Sequence, residues 1–598
     1  MCGIVGKLGN SPELKQVVQE MCKSMAHRGP DNQGVVQLDD ICLGHRRLSI
    51  IDLSAAANQP MCNYDKRYYI VYNGEIYNHN EIRKRLKAEG YIFRTHSDTE
   101  TLLTAYEAYG KHCLQYLNGM FAFAIWDTEE KKLFMARDRF GEKPLYYYSD
   151  SKSNFSFASE LKAFKKDKTI HLTYSYEALN CYLALGYILN PMSQYREISM
   201  LEPAHYIIIN KEGRIIKKEC YWDYADTFNY KRRNTEDIVL LELREFIKNS
   251  VHSRMLSDVP VGAFLSGGID SSSVVAMMKK KHNDDLHTFS VGFAALSYNE
   301  LPDADRTADY LGTIHHRMSL DEEYRNDGAI KSVVDLFDEF FSDNSLIPMV
   351  KVSKLASQYV KVVLSGDGAD ELFGGYITYK ADKLLPIFKS TIPLILRKAL
   401  AKNQKINTSK KIGMQYKRQQ FFYGSLFPYD KAHYLWRIIF HPEDRIKILG
   451  EEYRKLVYET DPFIYFRKYY EQVNHLDKLD QHLYVDAMTW LTDDILLKVD
   501  RSSMLSSLEA RAPFLDHELA SYVASLDSKF KVKGLTTKYI MKNALHGIIP
   551  DFVLNKKKSG FNSPINQWIN YTEKNEFQGF CKYVYDLKYD ISGKSKRS

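Results

Sequence analysis

Apolar residues in the first part of the chain come in short runs broken by Gly, Asn and Asp. Residues 3–6, 67–72, 120–126 and 132–136 have the length and the β-branched or aromatic content of strands. Between them, 77–89 and 99–109 repeat their apolar positions at helical spacing. The pattern predicts a sheet protein with a few helices over residues 1–210. A polar, charged stretch at 211–236, densest from residue 223, reads as a linker. Beyond it the pattern changes. An amphipathic helix at 238–256 is followed by a strand (259–265), a Gly turn, a helix (271–281) and a second strand (286–293). That alternation predicts a parallel sheet flanked by helices over residues 237–573. Residues 377–485 read as largely helical without a legible motif, and 574–598 read as a C-terminal appendage.

The 598 residues are too many for one hydrophobic core. With 44% hydrophobic and 26% charged residues the composition is that of a globular protein. The formal charge of +7 is mild for this length, and Lys and Arg alternate with Asp and Glu along most of the chain. Nucleic-acid binding would need them clustered on one element, so no nucleic-acid partner is expected. The eight Cys include no C-x-x-C pair, and the spacing of twenty between Cys2, Cys22, Cys42 and Cys62 joins dissimilar neighbourhoods. No disulfide framework or zinc motif follows. There is no apolar stretch of membrane-spanning length and no signal-peptide pattern. A cytoplasmic protein without a membrane partner is expected. The oligomeric state stays open, a homodimer among the options.

Two constellations carry chemistry. Cys2 follows Met1; removal of Met1 would leave a thiol beside an α-amine with a pKa of about 8, able to act as base for its own side chain. Downstream lie His27-Arg28-Gly29-Pro30-Asp31, His45-Arg46-Arg47, Asn73-Gly74-Glu75, Ser97-Asp98-Thr99-Glu100 and Arg137-Asp138-Arg139-Phe140-Gly141. The second is a strand running into Ser266-Gly267-Gly268-Ile269-Asp270-Ser271-Ser272 at a helix start. Glycines and a helix N-terminus suit an anion, but the G-x-x-x-x-G-K-[ST] pattern is absent. Asp270 in such a loop would repel phosphate unless a cation lay between them, which points to Mg²⁺. The apolar run 362–364 leads into Ser365-Gly366-Asp367-Gly368-Ala369-Asp370-Glu371, and Asp370 is the natural second metal ligand.

In order and spacing the first set of blocks resembles the glutaminase domain of class II glutamine amidotransferases. The resemblance implies an N-terminal-nucleophile αββα sandwich in which Cys2 attacks glutamine. Arg47 meets the glutamine carboxylate, Asp98 its ammonium, and Glu75 a further contact, while Asn73 and the Gly74 amide form the oxyanion hole. The second set resembles the pyrophosphate loop of ATP pyrophosphatases. Together the blocks resemble glutamine-hydrolysing asparagine synthetases across most of the chain. That likeness implies an ATP-pyrophosphatase-type parallel α/β domain with extra helices. ATP is then a substrate held by Leu265, Ser266, Gly267, Gly268, Asp270, Ser271, Ser272, Ser290, Ser365 and Gly366, and Asp270 and Asp370 hold Mg²⁺. Asp367 binds the acceptor, and Lys538 stabilises charge at the α-phosphate. The expected substrates are glutamine, aspartate and ATP; the alternative acceptor is another carboxylate, such as a sugar acid in surface polysaccharide synthesis. Phe340, Thr378 and Ala204 depart from the usual family residues, the first two beside the motif blocks, where they are expected to reshape the acceptor pocket.

Overall fold

In strand Gly3–Leu8, Ile4 and Leu8 point one way and Val5 the other; in Gly119–Asp127, Phe121, Phe123 and Ile125 alternate with Ala122, Ala124 and Trp126. Period-two alternation with both faces apolar requires cover on both sides. The computed structural model supplies it. It describes every residue except 1, 10, 151–153, 282–284, 296, 321–326, 403–413, 559, 561, 562, 566, 567, 570–574 and 591–598. Two six-stranded sheets face each other over a core built from Ile4, Leu8, Leu43, Val71, Ala124 and Trp126. Helix Leu14–Ser24 covers the outer face of the first sheet, and helices His79–Ala88 and Asp98–Tyr109 cover the second. This is the αββα sandwich.

Strand Ile215–Cys220 pairs with His205–Asn210 in the second sheet, so the first unit runs ten residues past the expected end at 210. The stretch after it is no free linker either, because Tyr224 and Phe228 are buried. Helix Glu236–Arg254 then opens the second unit. Its sheet has five parallel strands in the order Ile314–Ser319, His287–Gly292, Val261–Phe264, Val362–Leu364, Glu509–Arg511. Val261–Phe264 and Val362–Leu364 are neighbours whose onward connections leave in opposite directions. Their carboxyl ends form the crevice where ligands bind in such sheets.

Residues 377–485 are helical in their described parts. They lead into a ten-residue π-helix, Ala487–Leu496, wider than an α-helix by one residue per hydrogen-bonded turn. The expected appendage is also corrected. Helix Glu576–Asp590 buries Phe580, Cys581 and Val584, and Cys581 O accepts a 2.8 Å hydrogen bond from Tyr182 Oη in the first unit. Its apolar stripe is part of the main core.

The two units meet through buried polar pairs. Arg28 forks onto Asp500 at 2.8 and 3.0 Å while its Nε donates to Cys2 O at 3.0 Å. Asn118 donates to Asp516 at 3.0 Å, and Asn190 donates twice to Asp493. Arg511, fully buried, holds Glu509 in its own unit and Glu75 in the other, at 2.7 and 3.1 Å.

Candidate functional site

Cys2 sits just before the first strand, against the end of the neighbouring strand Tyr68–Ile76 in the opposing sheet. Its backbone N donates to Asn73 Oδ1 at 2.8 Å. That leaves Asn73 Nδ2, fully buried, with no hydrogen-bond partner among the described residues. A free amide donor beside the thiol is what an oxyanion hole needs. Gly74 follows; a Cβ there would lie 2.2 Å from Met120 O and 2.7 Å from Phe121 Cα, so only glycine lets the two strands close. Burial pushes the Cys2 thiol above its ordinary value, and its activation requires a base.

Around Cys2 lies a small cavity of about 30 Å³ lined by Arg47, Gly74, Glu75, Asp98 and Glu509 among others. Arg47 is held from behind by Ser54 O at 2.8 Å and Asn58 Oδ1 at 2.7 Å. Asp98, next to the Ser97 N-cap, accepts from Tyr72 Oη at 2.8 Å and Ile76 N at 3.1 Å. Burial nevertheless raises its pKa, so a ligand ammonium would be a welcome partner. Glu75 is also pushed well up, by burial and by the Asp98 charge, and its Oε1 has no hydrogen bond among the described residues. Cys2, Arg47, Asn73, Gly74, Glu75 and Asp98 are therefore together. The Arg137–Gly141 block is scaffold: Asp138 accepts from the backbone N of Phe121, Phe140, Glu142 and Lys143, and Arg137 donates to three carbonyls.

The second site is a cavity of about 430 Å³ at the crevice of the parallel sheet. Leu265, Ser266, Asp270, Ser271, Ser290, Ser365, Gly366, Asp367 and Asp370 line it. Gly267 has φ +65° and backs onto Asp303, and a Cβ on Gly366 would lie 2.8 Å from Asp270 Cβ and Ser271 N. The glycines thus bring the two loops into contact. Gly267, Gly268, Ser272 and Lys538 do not themselves line the cavity.

Lys538 lies one layer back. Its Nζ bridges Asp270 Oδ1 at 2.5 Å and Asp370 Oδ1 at 2.6 Å. It takes a left-handed backbone (φ +52°), which costs a non-glycine residue about 1–3 kcal/mol and persists where the surroundings over-determine it. The surroundings do: a Cβ on Gly375 would overlap Asp370 Oδ1 and Lys538 Cε. Lys558 reaches Asp370 from the cavity side, with Asp270 at 3.8 Å. Burial opposes ionisation of Asp370, but the ammoniums of Lys538 and Lys558 outweigh it and hold its carboxyl at about 2. Two hard oxygen donors thus converge on one positive charge, and this donor set fits a divalent cation.

Among the cavity residues, Asp494 and Asp343 carried no sequence signal. Asp494, on the π-helix, is buried with neither carboxylate oxygen hydrogen-bonded among the described residues, and burial pushes its pKa well up. Lys498, one turn on, pairs with Asp343 at 2.6 Å. Asp367 is raised by burial against the pull of Ser365 and Lys498. Tyr187, Tyr376, Trp436 and Trp490 form an aromatic wall. Phe340 and Thr378 do not line the cavity; Phe340 packs against Tyr174 and Tyr182 in the core. Their expected role in shaping the pocket is withdrawn. Ser559, Phe561 and Asn562 lie outside the described residues.

The family model described as Asparagine synthase matches residues 242–578, and that described as Glutamine amidotransferase domain matches residues 1–222. The chain is 37% identical to glutamine-hydrolyzing asparagine synthetase 1 of Bacillus subtilis (strain 168), over 96% of this chain and 89% of that one. It is 36% identical to a putative glutamine-hydrolyzing asparagine synthetase 2 of Methanocaldococcus jannaschii, over 85% and 98%. It is 30% identical to amidase chry2 of Gibberella zeae, over 95% and 90%. Among the described residues no helix is long and apolar enough to cross a membrane. With an amidotransferase unit ahead of a nucleotide-type parallel sheet, the chain belongs to the asparagine synthase family of ATP-dependent, glutamine-hydrolysing ligases.

Proposed function

We propose that the chain makes L-asparagine from L-aspartate, ATP and glutamine. After loss of Met1, the Cys2 thiol attacks the glutamine side-chain amide, its proton passing to the new α-amine. Asn73 Nδ2 and Gly74 N steady the oxyanion. Ammonia leaves, and water releases glutamate from the thioester. In the synthetase unit the acceptor carboxylate displaces pyrophosphate from the α-phosphorus of ATP. Ammonia then displaces AMP from the acyl-adenylate to give the amide. Asp270 and Asp370 would hold Mg²⁺, whose charge when bound offsets that of the pyrophosphate. In this reading Lys538 and Lys558 turn from their aspartates toward the phosphates as ATP enters.

The observation that carries the acceptor assignment is the set of charges lining the large cavity. L-Aspartate has one carboxylate to activate, a second carboxylate and an ammonium. Asp367 and the unpartnered Asp494 suit the ammonium, and Lys498 suits the spare carboxylate. The aromatic wall favours a second reading, in which a larger carboxylate such as a sugar acid stacks on Trp436 or Trp490. AMP release against a panel of carboxylates separates them. Aspartate-dependent AMP formation that vanishes in Asp367→Asn is the expected result. AMP with a sugar acid and none with aspartate would remove the asparagine reading and leave the amidotransferase chemistry standing.

A further inference from the structure

Behind the aromatic wall, three helices bring buried metal-ligating groups together. Asp382 lies on Ile377–Thr391, His433 on Tyr429–Leu435 and His482 on Lys478–Asp486. One ligand atom from each falls within 4.8 Å of the others, and all three residues are buried. His433 Nδ1 faces Asp382 Oδ2 at 2.8 Å, and His482 Nε2 faces Asp382 Oδ1 at 3.5 Å. The latter two atoms are buried without a hydrogen bond among the described residues, which carries a desolvation cost unless something else meets them.

The far side of each imidazole is already occupied. His433 Nε2 lies 3.0 Å from Asp486 Oδ1, and Asp486 is itself held by Tyr379 Oη at 2.6 Å and Arg437 at 2.5 Å. His482 Nδ1 lies 2.8 Å from Tyr470 Oη. Carboxylate and hydroxyl partners on the outer nitrogens are the second layer found around metal-binding histidines, although the inner nitrogen of His433 shares a proton with Asp382 that a cation would have to displace. Two imidazoles and a carboxylate suit a borderline first-row cation better than the all-oxygen sets that Mg²⁺ takes.

We propose that Asp382, His433 and His482 form a structural site for a zinc-class divalent cation, distinct from the Mg²⁺ position on Asp270 and Asp370. In a tetrahedral zinc site with bonds near 2.0–2.1 Å the donors stand about 3.3 Å apart; the two His–Asp separations, 2.8 and 3.5 Å, already bracket that distance, and no pair of ligand atoms exceeds 4.8 Å. Binding displaces the proton between His433 and Asp382. It anchors the helix Tyr429–Leu435, directly ahead of Trp436 and Arg437, to its two neighbours and so stiffens the cavity wall, since Arg437 lies over the Trp490 ring at 4.8 Å. The site does not depend on which acceptor is used.

The test is zinc content and Co²⁺ absorption of the chelator-stripped, refilled full chain. About one zinc per chain should survive gel filtration, and Co²⁺ should give visible bands of tetrahedral intensity. Zinc should raise the melting temperature of the wild type and not that of His482→Gln or Asp382→Asn. Tyr470→Phe, which keeps every ligand, should weaken zinc about 10–100-fold. A wild type that keeps no zinc and shows no melting shift overturns the proposal. So does unchanged zinc in a folded His482→Gln, and so does unchanged affinity in Tyr470→Phe.

Discussion

In the glutaminase pocket, Arg47 and Asp98 arrive with their positions set by hydrogen bonds to their own unit, and the space left is about 30 Å³, room for roughly one water. In the synthetase cavity of about 430 Å³ the lysines are instead paired with aspartates, Lys558 with Asp370 and Lys498 with Asp343, while Asp494 has no hydrogen bond among the described residues. The first site is shaped in advance and, on the proposed function, must open to admit glutamine. The second is open, and its charges must exchange partners. A small neutral zwitterion and a tetra-anionic nucleotide pose these two different problems. A site for a modest charge can be built from fixed dipoles, whereas one for several negative charges has to keep its cations neutralised while empty.

The comparison predicts separable sites. Cys2→Ala should cut glutamine hydrolysis by about 10³-fold or more while ammonia-dependent AMP formation stays within about twofold. Loss of both in a folded protein would merge the two sites. Asp270→Asn or Asp370→Asn should lower pyrophosphate release by about 10²–10³-fold and spare glutaminase activity. The link between the units can be cut at Arg511. Arg511→Met removes the cation that holds buried Glu75 and Glu509, and urea unfolding should show a loss of about 3–5 kcal/mol. A change below 1 kcal/mol would mean that the units hold together without this pair.

Acid should separate the units more gently. Burial opposes ionisation of Asp516, but Arg254 and Asn118 bring its carboxyl to about 2, below the unfolded aspartate value near 3.9. A depressed acid stabilises the fold above the unfolded value and loses that contribution as pH falls from about 4 toward 2. About 2 kcal/mol should disappear over that window and be missing at all pH values in Asp516→Asn, read by thermal melts. The smallest effect concerns Ala204, whose φ is +58°. Ala204→Gly should stabilise by about 1 kcal/mol, since a left-handed alanine costs more than the added chain entropy of glycine.

What could be read beforehand follows from where the determinants lie. Gly74, Gly267 and Gly366 each sit inside a short motif block that is visible in sequence, although the atoms they make room for, at Met120, Asp303 and Asp270, lie on other segments. Ala204 stood out for the same reason, as a residue where glycine belongs. Asp494 and the His433 group had no such mark. Their neighbours lie on other helices, and a lone acid or histidine on a helix reads as ordinary surface or core. The pairing of Lys558 with Asp370, 188 positions away, was likewise not legible. The C-terminal helix was misread because its apolar stripe has meaning only against Tyr182 and its neighbours.

The π-helix Ala487–Leu496 works as a phase shifter. Its adjacent acids face different clients: Asp493 accepts from Asn190 of the amidotransferase unit, and Asp494 lines the synthetase cavity. Deleting one residue from the segment would return it to i→i−4 bonding. Everything on one side would then rotate by about 100° relative to the other. The length of this stretch, more than its composition, keeps both acids on their targets. A substitution scan across it should find tolerant positions, and a deletion scan should find none.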